Sequence, residues 1–208
     1  MLVERLIDIA ILAIVGFVAA LVVGAPGWAI QLLGVAATVG AVGMVVLATV
    51  GVEPMLRFAE RIGLTRWPRI HDIARRFAGT IGGRTRRGPL LSAAGLSIGA
   101  WLLDATSFWL AGEAIGADLP ILGAMVVSAV SVMGTAVPSA PGFVGTFHLA
   151  AAGTAGALGV PGAEALALAI VVHAMTLIPL AIGGALSLVA MGTDLGEVAY
   201  AAEAQRSG

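Results

Sequence analysis

Apolar runs of bilayer length restrict what this chain can fold into more than any motif does. A hydrocarbon core of about 30 Å is crossed by a helix of about 20 apolar residues. Five or six runs fit that length: Leu6–Val23, Trp28–Val52, Leu90–Ala114, Ile121–Val137, Phe147–Val160 and Ala163–Met191. Composition points the same way, since 59% of the residues are hydrophobic, 11% are charged, and the mean hydropathy of +1.03 is far above that of globular chains. The expected fold is all-α, a polytopic membrane helix bundle of five to six apolar segments.

Polarity then orders the segments. The first run ends at Gly24-Ala25-Pro26-Gly27, a link short enough to close a helical hairpin. A cleaved secretory signal does not fit the start, because Glu4 and Asp8 outweigh Arg5 where such peptides are basic. Residues 53–88 hold nine arginines against Glu53, Glu60 and Asp72. The positive-inside rule places that stretch in the cytoplasm, the 24–27 turn outside, and the tail 193–208 back in the cytoplasm. The expected organisation is one membrane domain, 1–192, in the cell inner membrane, with an interfacial segment at 53–88. Within that segment Met55, Phe58, Ala59 and Ile62 share one helical face, and Ile70, Ile73, Ala74, Phe77 and Ile81 another. Its arginines either only fix orientation, or Arg75, Arg76, Arg84, Arg86 and Arg87 gather anionic phospholipid headgroups at about 1 kcal/mol each.

Several chemistries drop out. Cysteine is absent, which excludes disulfides and thiolate metal sites. Lysine is absent too, so no phosphate-binding loop of the Gly-rich, Lys-terminated type exists to bind ATP. Arginine as the sole strong base, with abundant Ala and Gly, matches the usage of a GC-rich bacterial genome. Small residues at Gly95 and Gly99, and at Gly112 and Gly116, have the spacing that lets helices approach closely.

An ionisable side chain inside a membrane helix is costly without a partner, water or the interface, which makes each one a candidate for function. Glu4, Arg5 and Asp8 lie on neighbouring faces of the first helix, where they either pair and anchor it at the interface or turn inward. Asp104 stands near the middle of its run, in WLLDATSFW, with Thr106 and Ser107 as hydrogen-bonding neighbours. It is either a satisfied structural group or part of a polar cavity. His148 and His173 are isolated in sequence; a lone helix histidine is usually a packing residue, though it can also exchange a proton near neutral pH. Neither has a second histidine three or four residues away, so no metal site is expected.

The sharpest irregularity is GTAVPSAPGFVGTFH, residues 134–148. Proline removes a backbone donor and glycine raises the entropy cost, so a helix must break across Pro138, Pro141, Gly142 and Gly145. Lipid cannot satisfy the freed groups. The break therefore lies at the interface or lines a cavity, and the flanking runs either each span or form a re-entrant pair. At depth, the new helix start at Thr146–His148 would offer N–H groups to an anion such as a phosphate headgroup.

These residues carry a resemblance. VPSAPGFVGTFH, followed by Gly159-Val160-Pro161 and a last helix, resembles the C-terminal signature of the lysylphosphatidylglycerol synthase transmembrane region, a flippase-like membrane family. Pro138, Pro141, Gly142, Gly145 and Phe147 match it, and VERLIDIAIL is similar to the family's Glu-Arg-x-x-Asp helix start. The resemblance implies translocation of an aminoacylated phospholipid or another amphiphilic lipid between leaflets. It implies no enzyme activity and no cofactor in this region, since the family's aminoacyl transfer belongs to a separate soluble domain. Membrane lipids are the implied partners. Glu4, Arg5, Asp8, Asp104, the Pro/Gly break, His148 and His173 are the residues placed along the lipid path. His148 stands where many members have glutamate. The family also has further spans before its Glu-Arg helix, so the chain is expected to lack those N-terminal spans. A scaffold holding a lipid-modifying synthase or glycosyltransferase is the rival expectation. An intramembrane enzyme using Asp104 and a histidine is a third, and it requires those groups to meet.

Overall fold

The computed structural model describes residues 2–49, 87–137 and 139–192, with side chains described for 7–45, 92–137 and 139–192. Pro138, the segment 53–86 with Arg75, Arg76, Arg84 and Arg86, the tail 193–208, and the side chains of Glu4, Arg5 and Arg87 lie outside the described residues. Six α-helices follow in order: α1 (Leu2–Val22), α2 (Gly27–Thr49), α3 (Arg87–Ile115), α4 (Ile121–Gly134), α5 (Thr146–Ala157) and α6 (Gly162–Ala190), with a 3₁₀ turn at Pro141–Phe143 before α5. Among the described residues there is no strand.

Three of the connections are built alike. After α1, α3 and α5 the chain passes through a glycine at positive φ, namely Gly24, Gly116 and Gly159. The next N–H then reaches back five residues, from Ala25 to Ala20, Ala117 to Gly112 and Val160 to Ala155, at 2.9–3.1 Å. This is the Schellman arrangement, and it satisfies carbonyls that a helix end otherwise leaves unpaired. A proline then starts the next helix: Pro120 and Pro161 are the N-caps of α4 and α6, and the Pro26 carbonyl accepts from Ala29. The hairpins α1–α2, α3–α4 and α5–α6 are therefore fixed by local chemistry.

Helix α4 is the centre. Every residue from Gly123 to Ser131 is buried, as expected of a helix that is apolar all round. It packs against α1, α3 and α5, and one buried cluster joins α1, α2, α3 and α4 while a second joins α3, α4, α5 and α6. Alanine dominates both clusters, and close backbone approach replaces bulky packing. A Cβ on Gly16 would sit 2.6 Å from that of Ala129, and one on Gly40 2.6 Å from that of Ala10. The expected close approaches at Gly95 and Gly99 are not made among the described residues, none of which lies within 4 Å of a Cβ placed at either position. Those glycines lie on the face of α3 opposite Ser97 and Trp101, which hold this half of the helix to α1, so spacing alone finds them no partner.

Among the described residues two helices, Gly27–Val45 and Gly162–Ala190, are long and apolar enough to cross a membrane, and Ile7–Val22 and Ile121–Gly134 are shorter apolar helices. At 1.5 Å per residue α4 reaches only about 21 Å and α5 about 18 Å. Neither covers a core of about 30 Å.

Candidate functional site

The break between α4 and α5 is sharp because three residues hold positive φ: Gly142 at 75°, Phe143 at 57° and Gly145 at 103°. Gly145 combines that φ with ψ of −66°, a conformation that excludes side chains bearing a Cβ. Residues 139–145 are all exposed. The Phe143 N–H donates to the Ala140 carbonyl at 3.0 Å, and the Thr146 hydroxyl donates to Ser139 Oγ at 3.0 Å. The sequence leaves open whether this break is covered by protein. Among the described residues nothing covers it, so its outward main chain needs water or headgroups for partners.

His148 sits one turn into α5, where its Nδ1 accepts the Gly145 N–H at 3.4 Å. This is half of a capping box, because glycine has no side chain to return the bond. The other ring nitrogen, Nε2, lies 3.2 Å from Nδ1 of His173 on α6. The two rings meet edge to face with centroids 4.7 Å apart. His173 is buried and stacks on Phe147 at 4.6 Å, and Phe147 in turn meets Phe108 of α3 at 6.3 Å. Two histidines that look isolated in sequence are thus a pair.

Asp104 accepts a hydrogen bond from Ser128 of α4 at 2.5 Å. The neighbours that sequence offered it turn elsewhere. Thr106 and Ser107 donate to the carbonyls of Leu102 and Leu103 on their own helix, because a hydroxyl one turn along reaches that carbonyl more directly. Asp8 likewise turns inward to α3. Its Oδ1 accepts from Ser97 Oγ at 2.5 Å and from Trp101 Nε1 at 3.1 Å, and the same indole lies 3.2 Å from the Asp8 carbonyl. Asp104 is bonded to Ser128 and the histidines to each other, and no hydrogen bond joins the two sets among the described residues. Ser97, Trp101, Phe108 and Ser128 carried no local signal in the sequence. Three of them find a carboxylate 89, 93 and 24 residues away. No group of three or more His, Asp or Glu that could hold a metal occurs among the described residues.

Apolar helices around a broken hairpin, with carboxylates and histidines bonded between helices, are the build of an all-helical membrane protein with an interrupted helix pair. The family described as Lysylphosphatidylglycerol synthase TM region matches residues 1–184, and the chain belongs to it. Pro141, Gly142 and Gly145 of the signature form the break itself, and Phe147 lies in the first turn of α5 beyond it. No curated protein and no solved structure matches the chain. Membership makes this a membrane protein of a lipid-related, flippase-like family.

Proposed function

We propose that the protein moves an amphiphilic lipid, a phospholipid or a lipid of similar build, between the leaflets of the bacterial inner membrane, without catalysing a reaction and without a cofactor. One observation carries the reading: an uncovered, Pro/Gly-broken main chain joins two helices too short to cross the bilayer. Main chain of that kind, about 21 Å along α4 from the 116–120 turn, needs a polar surrounding at a depth where lipid supplies none. A re-entrant hairpin facing a water-filled vestibule meets that need.

In this reading the 53–88 segment and the C-terminus are cytoplasmic and the three Gly–Pro turns face outward. A headgroup enters the vestibule and its phosphate meets the first N–H groups of α5, where the helix dipole favours an anion. The Thr146 and Ser139 hydroxyls and the histidine pair replace water around it. Its acyl chains stay in lipid along the exposed apolar sides of α3 and α6, such as Leu103 and Leu180. Arg75, Arg76, Arg84, Arg86 and Arg87 would concentrate anionic lipid at the entrance.

Reconstitution tests this. Liposomes containing the purified protein and a fluorescent phospholipid are treated with an impermeant quencher. Exchange is expected to let the quencher reach inner-leaflet lipid as well as outer. Quenching limited to the outer leaflet, as in empty liposomes, removes the transport reading. Co-purification of a synthase or glycosyltransferase with such an inactive protein would install the scaffold in its place.

A further inference from the structure

The hydrogen-bond pattern around the histidine pair allows its protons to be assigned. An amide N–H can only donate, so Nδ1 of His148 is an acceptor toward Gly145. The hydrogen of a neutral His148 is then on Nε2, and it points at Nδ1 of His173, 3.2 Å away. His173 must accept there and carries its own hydrogen on Nε2. The two basic nitrogens of the pair are therefore both in use, one holding the start of α5 to the break and the other holding α5 to α6.

We infer that the His148–His173 pair is a proton-binding site whose occupation releases the break, so that a proton is the coupling ion of the lipid movement proposed above, on which this use of the proton rests. A proton arriving from water at the exposed break has two places to go. On Nδ1 of His148 it sets an N–H against the Gly145 N–H, and the cap is lost. On Nδ1 of His173 it faces the His148 N–H, and the tie between helices is lost. Shifting the His148 hydrogen from Nε2 to Nδ1 restores the second contact only by breaking the first. Every placement of the added proton thus costs the pair either the Gly145 cap or the tie between α5 and α6, and the two contacts that close the break cannot be kept together. Among the described residues nothing else supplies a compensating charge by hydrogen bonding. Helix α4 has no titratable side chain, and α5 has only His148. On α3 Asp104 is bonded to Ser128 and Glu113 is exposed, and on α6 Glu164 lies more than two turns before His173. The pair sits where such a release acts on function, because His148 is one turn from Gly145 and His173 anchors α6 through its stack on Phe147.

Hydrogen exchange of the 140–150 segment in lipid nanodiscs, read between about pH 8 and about pH 5, spans the ordinary histidine range. Comparison with the double variant His148→Gln/His173→Asn cancels the intrinsic pH dependence of exchange. Glutamine keeps an oxygen for the Gly145 N–H and an NH₂ for the neighbour, and asparagine keeps an acceptor near the Nδ1 position. Protection of the break in the unmodified protein is expected to fall about fivefold relative to the variant at the acid end, the shift carried by one hydrogen bond. Equal profiles overturn the inference. Should the variant not fold, judged by lost protection at the 23–26 turn, histidine ¹⁵N spectra decide, recorded after His71→Asn removes the one histidine outside the pair. One proton taken up by the pair together with faster Gly145 exchange supports it, and two rings titrating independently with Gly145 unchanged overturn it. Lipid exchange measured at both ends of the range separates the two ideas. Exchange that persists while protection stays flat with pH leaves transport standing without the proton. Protection that responds to pH with no lipid movement leaves the proton site standing without transport.

Discussion

Asp8 ties α1 to α3 through two side-chain donors, whereas Asp104 ties α3 to α4 through one. Either carboxylate can be removed without orphaning its serine outright, since a serine can turn back to the carbonyl four residues earlier, as Ser131 does with Val127 at 2.6 Å. The cost is then the lost inter-helix tie, and measured ties of this kind in membrane proteins average about 0.6 kcal/mol with a maximum of about 1.7. Asp8→Ala is expected to cost about 1–2 kcal/mol and Asp104→Ala about half as much, read as midpoints of thermal unfolding in detergent. Asp8→Asn and Asp104→Asn keep an acceptor and should stay close to the unmodified protein. If Asp104 lines the lipid path, Asp104→Asn will slow exchange in liposomes while leaving unfolding unchanged, a separation that a purely structural carboxylate cannot produce. Sequence singled out Asp8, Asp104, His148 and His173 because ionisable groups in apolar runs need a reason to be there. It could not supply their partners. Serine and tryptophan are unremarkable in a membrane helix, and contacts across 24–93 residues follow from packing rather than spacing.

At the scale of elements, the hairpin α4–α5 depends on one close approach and one backbone conformation. A Cβ on Gly134 would lie 2.8 Å from that of Ala150 and 3.3 Å from the Thr146 carbonyl oxygen, so Gly134→Leu has to push α5 away from α4. The expected loss is about 1–3 kcal/mol, typical of overpacking. Gly153, on the exposed face of α5, has nothing within 4 Å, and Gly153→Ala should gain up to about 1 kcal/mol of helix stability. Opposite signs from two glycines of one hairpin, read by unfolding in detergent, test the α4–α5 contact directly. Gly145→Ala forces a Cβ into a conformation reserved for glycine and is expected to cost about 1–3 kcal/mol, with faster hydrogen exchange at 140–150 than at the 23–26 turn. These elements were largely legible. Glycine followed by proline announced the ends of α1 and α5, and the Pro/Gly run announced the break. The close contacts were not, since 29 glycines give many equivalent spacings and only the assembled helices select Gly16, Gly40 and Gly134.

On the scale of the molecule, alternation of antiparallel helices brings the turns at 23–26, 116–120 and 158–161 to one end of the bundle and the 135–145 break toward the other. Ala117, Leu119 and Val160 share one buried cluster, which holds two of those turns together. Helix α6 outruns this packing. Its buried residues end at His173, while Leu180, Leu186 and Val189 beyond it are 64–71% exposed and belong in lipid. The absence of cysteine makes the arrangement measurable, because each introduced thiol is the only one in the chain. Asp118→Cys and Pro161→Cys should react with an impermeant maleimide added outside intact cells, and Met191→Cys should react only after the membrane is opened. Val144→Cys distinguishes the two forms of the hairpin. A re-entrant break in a vestibule should be labelled from the cytoplasmic side more slowly than Met191→Cys and should be protected when anionic phospholipid fills the vestibule. A break at the cytoplasmic surface should be labelled at the same rate as Met191→Cys whatever the lipid. Equal rates would remove the depth on which lipid passage through this hairpin depends, because a bend already among headgroups has no polar path to provide.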